Sequence, residues 1–349
     1  MKSMKAVVIE GPRQLRTAEV PVPDIGPEDV LVKVRNVGIC ATDLEIYQGV
    51  MPYYLTGQAS YPIIPGHEWS GEIVEVGSKV TNWKAGDRVV GEITIACGRC
   101  AYCLSGGYNM CTGRVEIGVM NQNGAAASYM VYPAHALYRI PPSVSFEAAA
   151  LTEPAAIAYR GVEKLNIRPG DRVAVIGAGP IGLLAVQAAK AFGAHHVSLF
   201  DYRANRLQVG LELGADKAVN LSEADSLGAI LPSSPQDRFT AIVEATGHPS
   251  AVESILTYAA PRARIVLIGL TGGRKAAINV DHLVTYDLEV HGSLGSPGVW
   301  ESTLKLLETG KVRTEPLISH RFGLEQMEQA FSLIEQKDPS IVKIVLQVN

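Results

Sequence analysis

The stretch Gly177-Ala178-Gly179-Pro180-Ile181-Gly182 leaves this chain few folds to choose from. It follows a short apolar run, Arg172–Ile176, and opens a second one that continues to Phe192 and stops at Gly193. Strand, tight turn and helix is the reading. The next strand, His196–Phe200, ends at Asp201, 19 positions after the last glycine of the motif. Alone, Gly-x-Gly-x-x-Gly is a weak signal, and a plain strand–turn–helix is its bland alternative. Placed between a strand and a helix, with an acidic residue at that distance, it is the fingerprint of a dinucleotide site. The glycines let a pyrophosphate approach backbone N–H groups at a helix N-terminus, so Gly177, Gly179, Pro180, Ile181 and Gly182 are the expected cofactor contacts. Asp201 suits the adenosine ribose hydroxyls and repels a 2′-phosphate, which favours NAD over NADP. Arg203 and Arg206 pull the other way, since guanidinium groups attract phosphate; Arg206 joins Asp201 among the expected cofactor residues.

The alternation continues downstream. Ala204–Leu213 reads as a helix stopped by Gly214, Phe239–Glu244 as a strand, Ser250–Ala259 as a helix, Arg264–Ile268 as a strand and Glu289–Gly292 as a last strand. Thr246 and Gly269 follow strand ends, where an open α/β sheet binds its ligand, and are expected to line a nicotinamide pocket. Beyond Gly295 come two helical stretches, Trp300–Thr309 and Leu324–Ile334. A final strand, Ile341–Gln347, is a candidate to rejoin the sheet of the first part of the chain.

That first part has another character. Ala6–Ile9, Val30–Val37, Ser70–Val76 and Arg88–Gly91 are short apolar or alternating runs, punctuated by Pro12, Pro21, Pro23, Pro27, Gly77 and Gly86. Residues 5–95 show no long helical period, and an all-β module is expected. A helix is expected from near Phe146 to Glu153, disturbed by Pro154, which would present Glu153 to a cleft.

Metal-binding residue types collect here. Pro65-Gly66-His67-Glu68-Trp69-Ser70-Gly71 offers an imidazole and a carboxylate, Cys40 lies upstream and Glu153 downstream. A zinc site that does chemistry takes about three protein ligands and keeps one position open; Cys40, His67 and either Glu68 or Glu153 would supply them. Thr42 is placed to take a proton from an alcohol at such a site, and Asp43 to orient His67. A plain helix start, with Thr42 or Asp43 as N-cap, is compatible with both roles. All five cysteines fall between positions 40 and 111. Cys97-x2-Cys100-x2-Cys103-x7-Cys111 suits a closed, structural zinc site of four thiolates. Disulfides and an iron–sulfur cluster are the alternatives.

With 349 residues the chain has room for two domains. A net charge of −4 gives no sign of a nucleic-acid or membrane partner, and no apolar stretch is long and unbroken enough to cross a bilayer. Met1-Lys2-Ser3-Met4 runs into a first strand, not a secretory leader, so a cytoplasmic protein is expected.

Taken together, Gly38-Ile39-Cys40-Ala41-Thr42-Asp43, Gly66-His67-Glu68-x-x-Gly71, the four-cysteine lobe, Glu153-Pro154 and the glycine motif with Asp201 resemble the zinc-dependent medium-chain alcohol dehydrogenases nearly end to end. Glu153-Pro154 resembles their polyol, sorbitol-like branch. The resemblance implies an α/β protein of two domains: a GroES-like, β-rich catalytic domain from residues 1–154 and 296–349, with a structural zinc lobe at about 97–111, and a Rossmann doubly wound parallel sheet from 155–295. It implies an active site in the cleft, catalytic zinc on Cys40, His67 and Glu68 with Glu153 as ligand or near neighbour, structural zinc on the four cysteines, NAD as cofactor, and a homotetramer or dimer. The expected reaction is hydride transfer between NAD and a secondary alcohol or ketone, the alcohol being a polyol, sugar, cyclitol or amino alcohol. The alternatives are 3-dehydrogenation of threonine, oxidation of a simple alcohol, and a non-catalytic NAD and zinc sensor. Two departures stand out. Glu45 occupies the position five residues after the zinc cysteine, where the family often has a proton-relaying histidine. Asn123-Gly124-Ala125-Ala126 stands where relatives usually carry an acidic residue, glycines and an aromatic. Tyr47, Tyr53, Tyr54, Trp69 and Met120 are candidate pocket walls, with ordinary packing as the equal alternative; Asn121, Gln122 and Asn123 are candidate partners for substrate hydroxyls, with a solvated turn as the favoured alternative.

Overall fold

A computed structural model describes residues 2–223 and 231–348. The strands, in chain order, are β1 (Ser3–Gly11), β2 (Gln14–Pro21), β3 (Asp29–Gly38), β4 (Glu68–Val76), β5 (Arg88–Gly91), β6 (Thr94–Ile95), β7 (Val115–Ile117), β8 (Asn121–Gln122), β9 (Tyr129–Pro133), β10 (Leu137–Arg139), β11 (Arg172–Ile176), β12 (His196–Asp201), β13 (Lys217–Asn220), β14 (Phe239–Glu244), β15 (Ala259–Leu267), β16 (Glu289–Gly292), β17 (Ile318–Gly323) and β18 (Lys343–Gln347). Two compact units result. One takes Met1–Glu153, Ser296–Glu308 and Ile318–Asn349; the other takes Pro154–Gly295 and Thr309–Leu317.

In the first unit a seven-stranded sheet has the order β10-β5-β4-β3-β18-β17, with β9 also paired to β3. β1 and β2 form a hairpin, and β6, β7 and β8 a small third sheet. Val30, Val32, Val34 and Val37 of β3 are buried with Ile344 and Leu346 of β18 and Phe331 from the helix Met327–Glu335. The C-terminal strand thus lies beside β3 and helps to close the core around the N-terminal half. This burial holds a strand whose sequence alternates little.

In the second unit all six strands run parallel, in the order β13-β12-β11-β14-β15-β16. Val173, Ala174 and Val175 of β11, Val197 and Leu199 of β12 and Ala241, Ile242 and Val243 of β14 have no exposed surface, as central parallel strands require. The strand order turns back between β11 and β14, which makes the carboxyl ends of these two strands the ligand-binding end of the sheet.

Several expectations change. Ala41–Gln48 is a helix inside the stretch expected to be all β, and its N-cap is Cys40, not Thr42 or Asp43. Asp43 sits at the third helical position and its carboxylate accepts from the Cys40 N–H at 2.9 Å, while Gly49 ends the helix in the left-handed conformation. The helix expected through Glu153 is two helices. Ser145 caps Phe146–Ala150 by accepting from the Ala148 N–H at 3.0 Å, the chain breaks at Leu151, and Thr152–Glu163 starts afresh with Pro154 in its first turn, where a missing N–H costs nothing. β13 has no counterpart among the strands expected from the sequence. Thr309–Leu317 clusters with the second unit, against the expected run of 296–349 in the first, because Gln187 and Arg313 exchange two hydrogen bonds, of 3.1 and 2.8 Å.

Candidate active site

The strand β3 ends at Gly38, and Cys40 follows it as a helix cap; β4 begins at Glu68, directly after His67. β3 and β4 are antiparallel neighbours with Gly38 opposite Glu68, so the two ligand-bearing segments meet by sheet register. A Cβ at Gly38 would collide with Glu68 Oε2, so only glycine leaves that carboxylate its place. The ligand atoms of Cys40, His67 and Glu68 lie within 4.8 Å of one another.

Asp43 is fully buried and ties the two segments together through their backbones. One carboxylate oxygen accepts from the Cys40 N–H at 2.9 Å, the other from the Gly66 N–H at 3.1 Å. The latter oxygen also stands 3.5 Å from His67 Nδ1, an ion-pair distance without a hydrogen bond, so Asp43 positions His67 mainly through the Gly66 peptide.

A residue that sequence reasoning did not single out completes the group. Lys343 of β18 is 4% exposed, and its ammonium donates to Glu68 Oε1 at 2.6 Å and to the Ile39 carbonyl at 2.8 Å. Burial works against its charge, but Glu68, Cys40 and Asp43 hold its pKa above the ordinary lysine value. The available signal was a single lysine in the apolar run Ile341–Leu346.

The residues fit a divalent cation. Glu68 Oε2 and His67 Nδ1 are buried with no hydrogen-bond partner, a costly state that a bound cation relieves at the carboxylate. Three buried carboxyl groups (Asp43, Glu68 and Glu153) and the Cys40 sulfur face the Lys343 ammonium. Burial draws the His67 imidazole toward neutrality, yet Asp43 and Cys40 beside it outweigh burial and hold its pKa well above the usual range, as expected of a pocket short of positive charge. Glu153 lies in the first turn of Thr152–Glu163 and is 6% exposed. It stands outside the three-residue set of converging ligand atoms, but its carboxyl feels them: burial pushes it up to about 7, with His67 and Lys343 opposing and Glu68 and Asp43 adding to the rise. Thr42 is half-buried on the helix that Cys40 caps.

The four sulfurs of Cys97, Cys100, Cys103 and Cys111 also lie within 4.8 Å of one another, with the Cys100–Cys103 pair at 3.4 Å and the Cys97–Cys103 pair at 3.9 Å. These are free thiols, not disulfides. Backbone N–H groups of Arg99 and Cys100 hold Cys97 down to about 6, so one ligand is ready to ionise near neutral pH. A set of four soft sulfurs with no open position fits structural zinc.

In the second unit Gly179 caps the helix Pro180–Ala191, with Pro180, Ile181 and Gly182 in its first turn. Gly177 has φ +102°, and a Cβ at Gly182 would strike the Gly177 carbonyl, so the loop closes on the helix only with glycine at both places. Asp201 binds this loop directly: Oδ2 accepts from the Ala178 N–H at 2.6 Å and Oδ1 from the Arg203 N–H at 2.8 Å. Arg206 reaches the same loop near Gly179; burial, then Arg203, brings it down to about 10 against the pull of Asp201. Thr246 and Gly269 follow the ends of β14 and β15.

Other candidates fall elsewhere. Trp69 and Tyr47 belong to the core, against Tyr132 and Phe331 at ring-centroid distances of 5.0 and 5.2 Å. Asn123 Oδ1 accepts from the Ile64 N–H and Asn121 donates to the Gln58 carbonyl, so both side chains serve the backbone. Gln122 and Asn123 line a cavity of about 420 Å³ with Met4, Val8 and Tyr129, none of them among the converging ligands.

Comparison with known proteins agrees with this geometry. Residues 26–142 match the alcohol dehydrogenase GroES-like domain, and residues 180–309 match the zinc-binding dehydrogenase family. The chain is 32% identical over 349 residues to the sorbitol dehydrogenase of Bacillus subtilis (strain 168), covering 100% of this chain and 98% of that one. It superposes with a TM-score of 0.92 on a zinc-binding dehydrogenase from Sinorhizobium meliloti 1021 bound to NADP, at 31% identity over 99% of this chain and 100% of the other. An alcohol dehydrogenase from E. coli CFT073 complexed with NADH gives the same TM-score of 0.92, at 32% identity and coverage of 99% and 100%. Likeness over the whole length, in sequence and in fold, makes the chain a member of the zinc-dependent medium-chain alcohol dehydrogenase family, in its polyol, sorbitol-like branch.

Proposed function

We propose that the chain catalyses the reversible, NAD-dependent oxidation of a secondary hydroxyl on a small polyol, sugar, cyclitol or amino alcohol. The observation that carries this reading is the converging set Cys40, His67 and Glu68, with a buried carboxylate oxygen left unpartnered inside it. Held by these three residues, zinc supplies a Lewis acid that lowers the pKa of an alcohol, while NAD supplies the hydride acceptor. The chain's own groups do the rest. Asp43 keeps Cys40 and His67 in register through the two peptides it binds. Lys343 occupies one oxygen of Glu68 and leaves the other without a hydrogen-bond partner. Thr42 Oγ1 accepts the hydroxyl proton as it gives up its own, acting as a relay. Glu45, three residues further along the same helix, is half-buried with a pKa raised by burial, and takes the proton onward in place of a histidine. Glu153, buried beside His67 and Glu68, is a further ligand or near neighbour of the zinc. The four cysteines hold a second zinc that is structural.

The reading includes a homotetramer. β16 is the edge strand of its sheet, and among the described residues Leu270, Ile278, Val280, Val284, Val290 and Leu294 are exposed on or close to it in sequence. Such clustering at an open sheet edge suits a face covered by a second copy. Reduced cysteines suit the cytoplasm, and among the described residues no helix is long and apolar enough to cross a membrane.

The test is NADH formation across polyols, cyclitols, amino sugars, simple alcohols and L-threonine, on zinc-replete and chelated protein. Chelator-sensitive turnover of one polyol class, lost in Cys40→Ser while NADH still binds, is the expected result. Unchanged turnover in Cys40→Ser overturns the mechanism, and a preference for threonine overturns the substrate class.

A further inference from the structure

Glu244, the last residue of β14, is fully buried, yet the partners of its carboxylate are not cations. Oε1 accepts from the Thr246 N–H at 2.8 Å, from the Thr246 hydroxyl, and from the Gly247 N–H at 3.1 Å; Oε2 lies 3.3 Å from the same Gly247 nitrogen. An ionised carboxylate only accepts, so it suits three converging donors better than any neutral side chain. The turn Ala245–Gly247 is therefore folded back onto the residue that precedes it.

That turn is wedged between two others. The Ala245 N–H donates to the Ile176 carbonyl at 3.0 Å, and a Cβ at Gly177 would stand 2.6 Å from Thr246 Cγ2, so one side of the turn packs on the glycine loop. On the other side, a Cβ at Gly247 would strike the Leu270 carbonyl and one at Gly269 would strike the Gly247 nitrogen. The Thr246 hydroxyl, donating to Glu244, accepts from the His248 N–H at 2.9 Å. Three strand ends, those of β11, β14 and β15, thus meet at one buried carboxylate.

In the cofactor reading above, Asp201 at the end of β12 takes the adenosine side of a dinucleotide, and the strand order turns back between β11 and β14. The other half of the cofactor must then run toward the ends of β14 and β15. We propose that Glu244 is a positioning residue for the nicotinamide half of the cofactor: its charge fixes the backbone of Thr246 and Gly247 against Gly177 and Gly269, and so sets the surface on which that half rests. The inference builds on the cofactor reading above, with NAD held by the glycine loop and Asp201.

Glu244→Gln keeps the shape but removes the charge and turns an N–H2 toward donors. Binding of NADH and of ADP-ribose to the zinc-replete protein, followed by fluorescence and calorimetry, separates the roles, because ADP-ribose lacks the nicotinamide. The expected result is an NADH Kd raised about tenfold, the loss of one hydrogen bond to a charged acceptor, with the ADP-ribose Kd changed by less than about twofold. Equal weakening of both ligands assigns Glu244 to general fold stability and overturns the proposal, as does no change in either. If Glu244→Gln does not fold, Thr246→Val, which removes the hydroxyl that donates to Glu244 and accepts from the His248 N–H, must give the same split in smaller measure; a uniform or absent effect overturns the proposal. A wild-type chain that binds neither ligand overturns the cofactor reading itself, and the inference with it.

Discussion

Lys343 and Glu68 are 275 residues apart in the chain and 2.6 Å apart in the fold, and both are almost wholly buried. The pair exists because β18 lies beside β3, which itself pairs with β4, the strand that begins with Glu68. The C-terminal strand thereby supplies an ammonium to a site whose carboxylates, thiol and imidazole come from the first half of the chain. Two distances define its work: Glu68 Oε1 is taken up by the lysine at 2.6 Å, and the Ile39 carbonyl beside Cys40 receives a second bond of 2.8 Å.

Lys343→Met tests the pair. It strands the Glu68 carboxylate without a counter-charge, and breaking a buried ion pair from one side costs about 3–5 kcal/mol. The zinc-free variant is expected to unfold in denaturant with a stability lowered by about that amount. The double variant Glu68→Gln with Lys343→Met is expected to recover most of the loss, because neither charge is then stranded. Added zinc is expected to narrow the gap between Lys343→Met and wild type, since a bound cation compensates Glu68. A single variant as stable as wild type without zinc would remove Lys343 from the site.

Chemistry is easier to see in this sequence than local structure. Cys40, His67, Glu68 and the four lobe cysteines carry their meaning in residue type and spacing, and the glycine motif carries its meaning in being framed by a strand and a helix. Lys343 is hidden because its partner depends on strand order, which no local pattern encodes. A helix start is legible at Thr42-Asp43, but its cap and extent are not: Ala41–Gln48 has no clear apolar stripe, and the reciprocal bonds of Cys40 and Asp43 and the left-handed Gly49 define its ends. Pro154 reads as a breaker in the sequence and is a first-turn proline in the fold, a distinction that rests on where the preceding helix stops. β13 is a four-residue edge strand in which only Ala218 and Val219 are apolar, between Lys217 and Asn220.

Glu153 gives a pH signature in the zinc-free protein. Its carboxyl is raised from 4.5 to about 7, chiefly by burial. A raised acid binds its proton more tightly folded than unfolded, so between these two values the native state holds more protons and stability falls as pH rises. The full contribution is present below 4.5 and lost once pH passes about 7. The span corresponds to about 3 kcal/mol. Glu153→Gln removes this dependence, so the difference in unfolding free energy, wild type minus variant, is expected to decline by about that amount across the window. A flat difference would show that the carboxyl is not desolvated as described.

Asp201 makes a prediction about cofactor choice that separates charge from shape. Both of its oxygens are engaged by backbone N–H groups, of Ala178 and Arg203, so its negative charge is fixed against the glycine loop and has little freedom to swing away from an incoming 2′-phosphate. Arg206 stands by the same loop and would favour that phosphate were the carboxylate absent. Asp201→Asn keeps the size and one acceptor and removes the repulsion. The ratio of kcat/KM for NADP to that for NAD is expected to rise by about tenfold to a hundredfold, equivalent to about 1.4–2.8 kcal/mol of discrimination. High salt is expected to shrink the wild-type preference and leave the variant less affected, because screening weakens a charge–charge term at a half-buried, solvent-facing group. The second change Arg206→Ala in the Asp201→Asn background is expected to cancel most of the NADP gain. If Asp201→Asn lowers both cofactors equally, the aspartate acts only by bracing the loop, and discrimination lies elsewhere in the adenosine pocket.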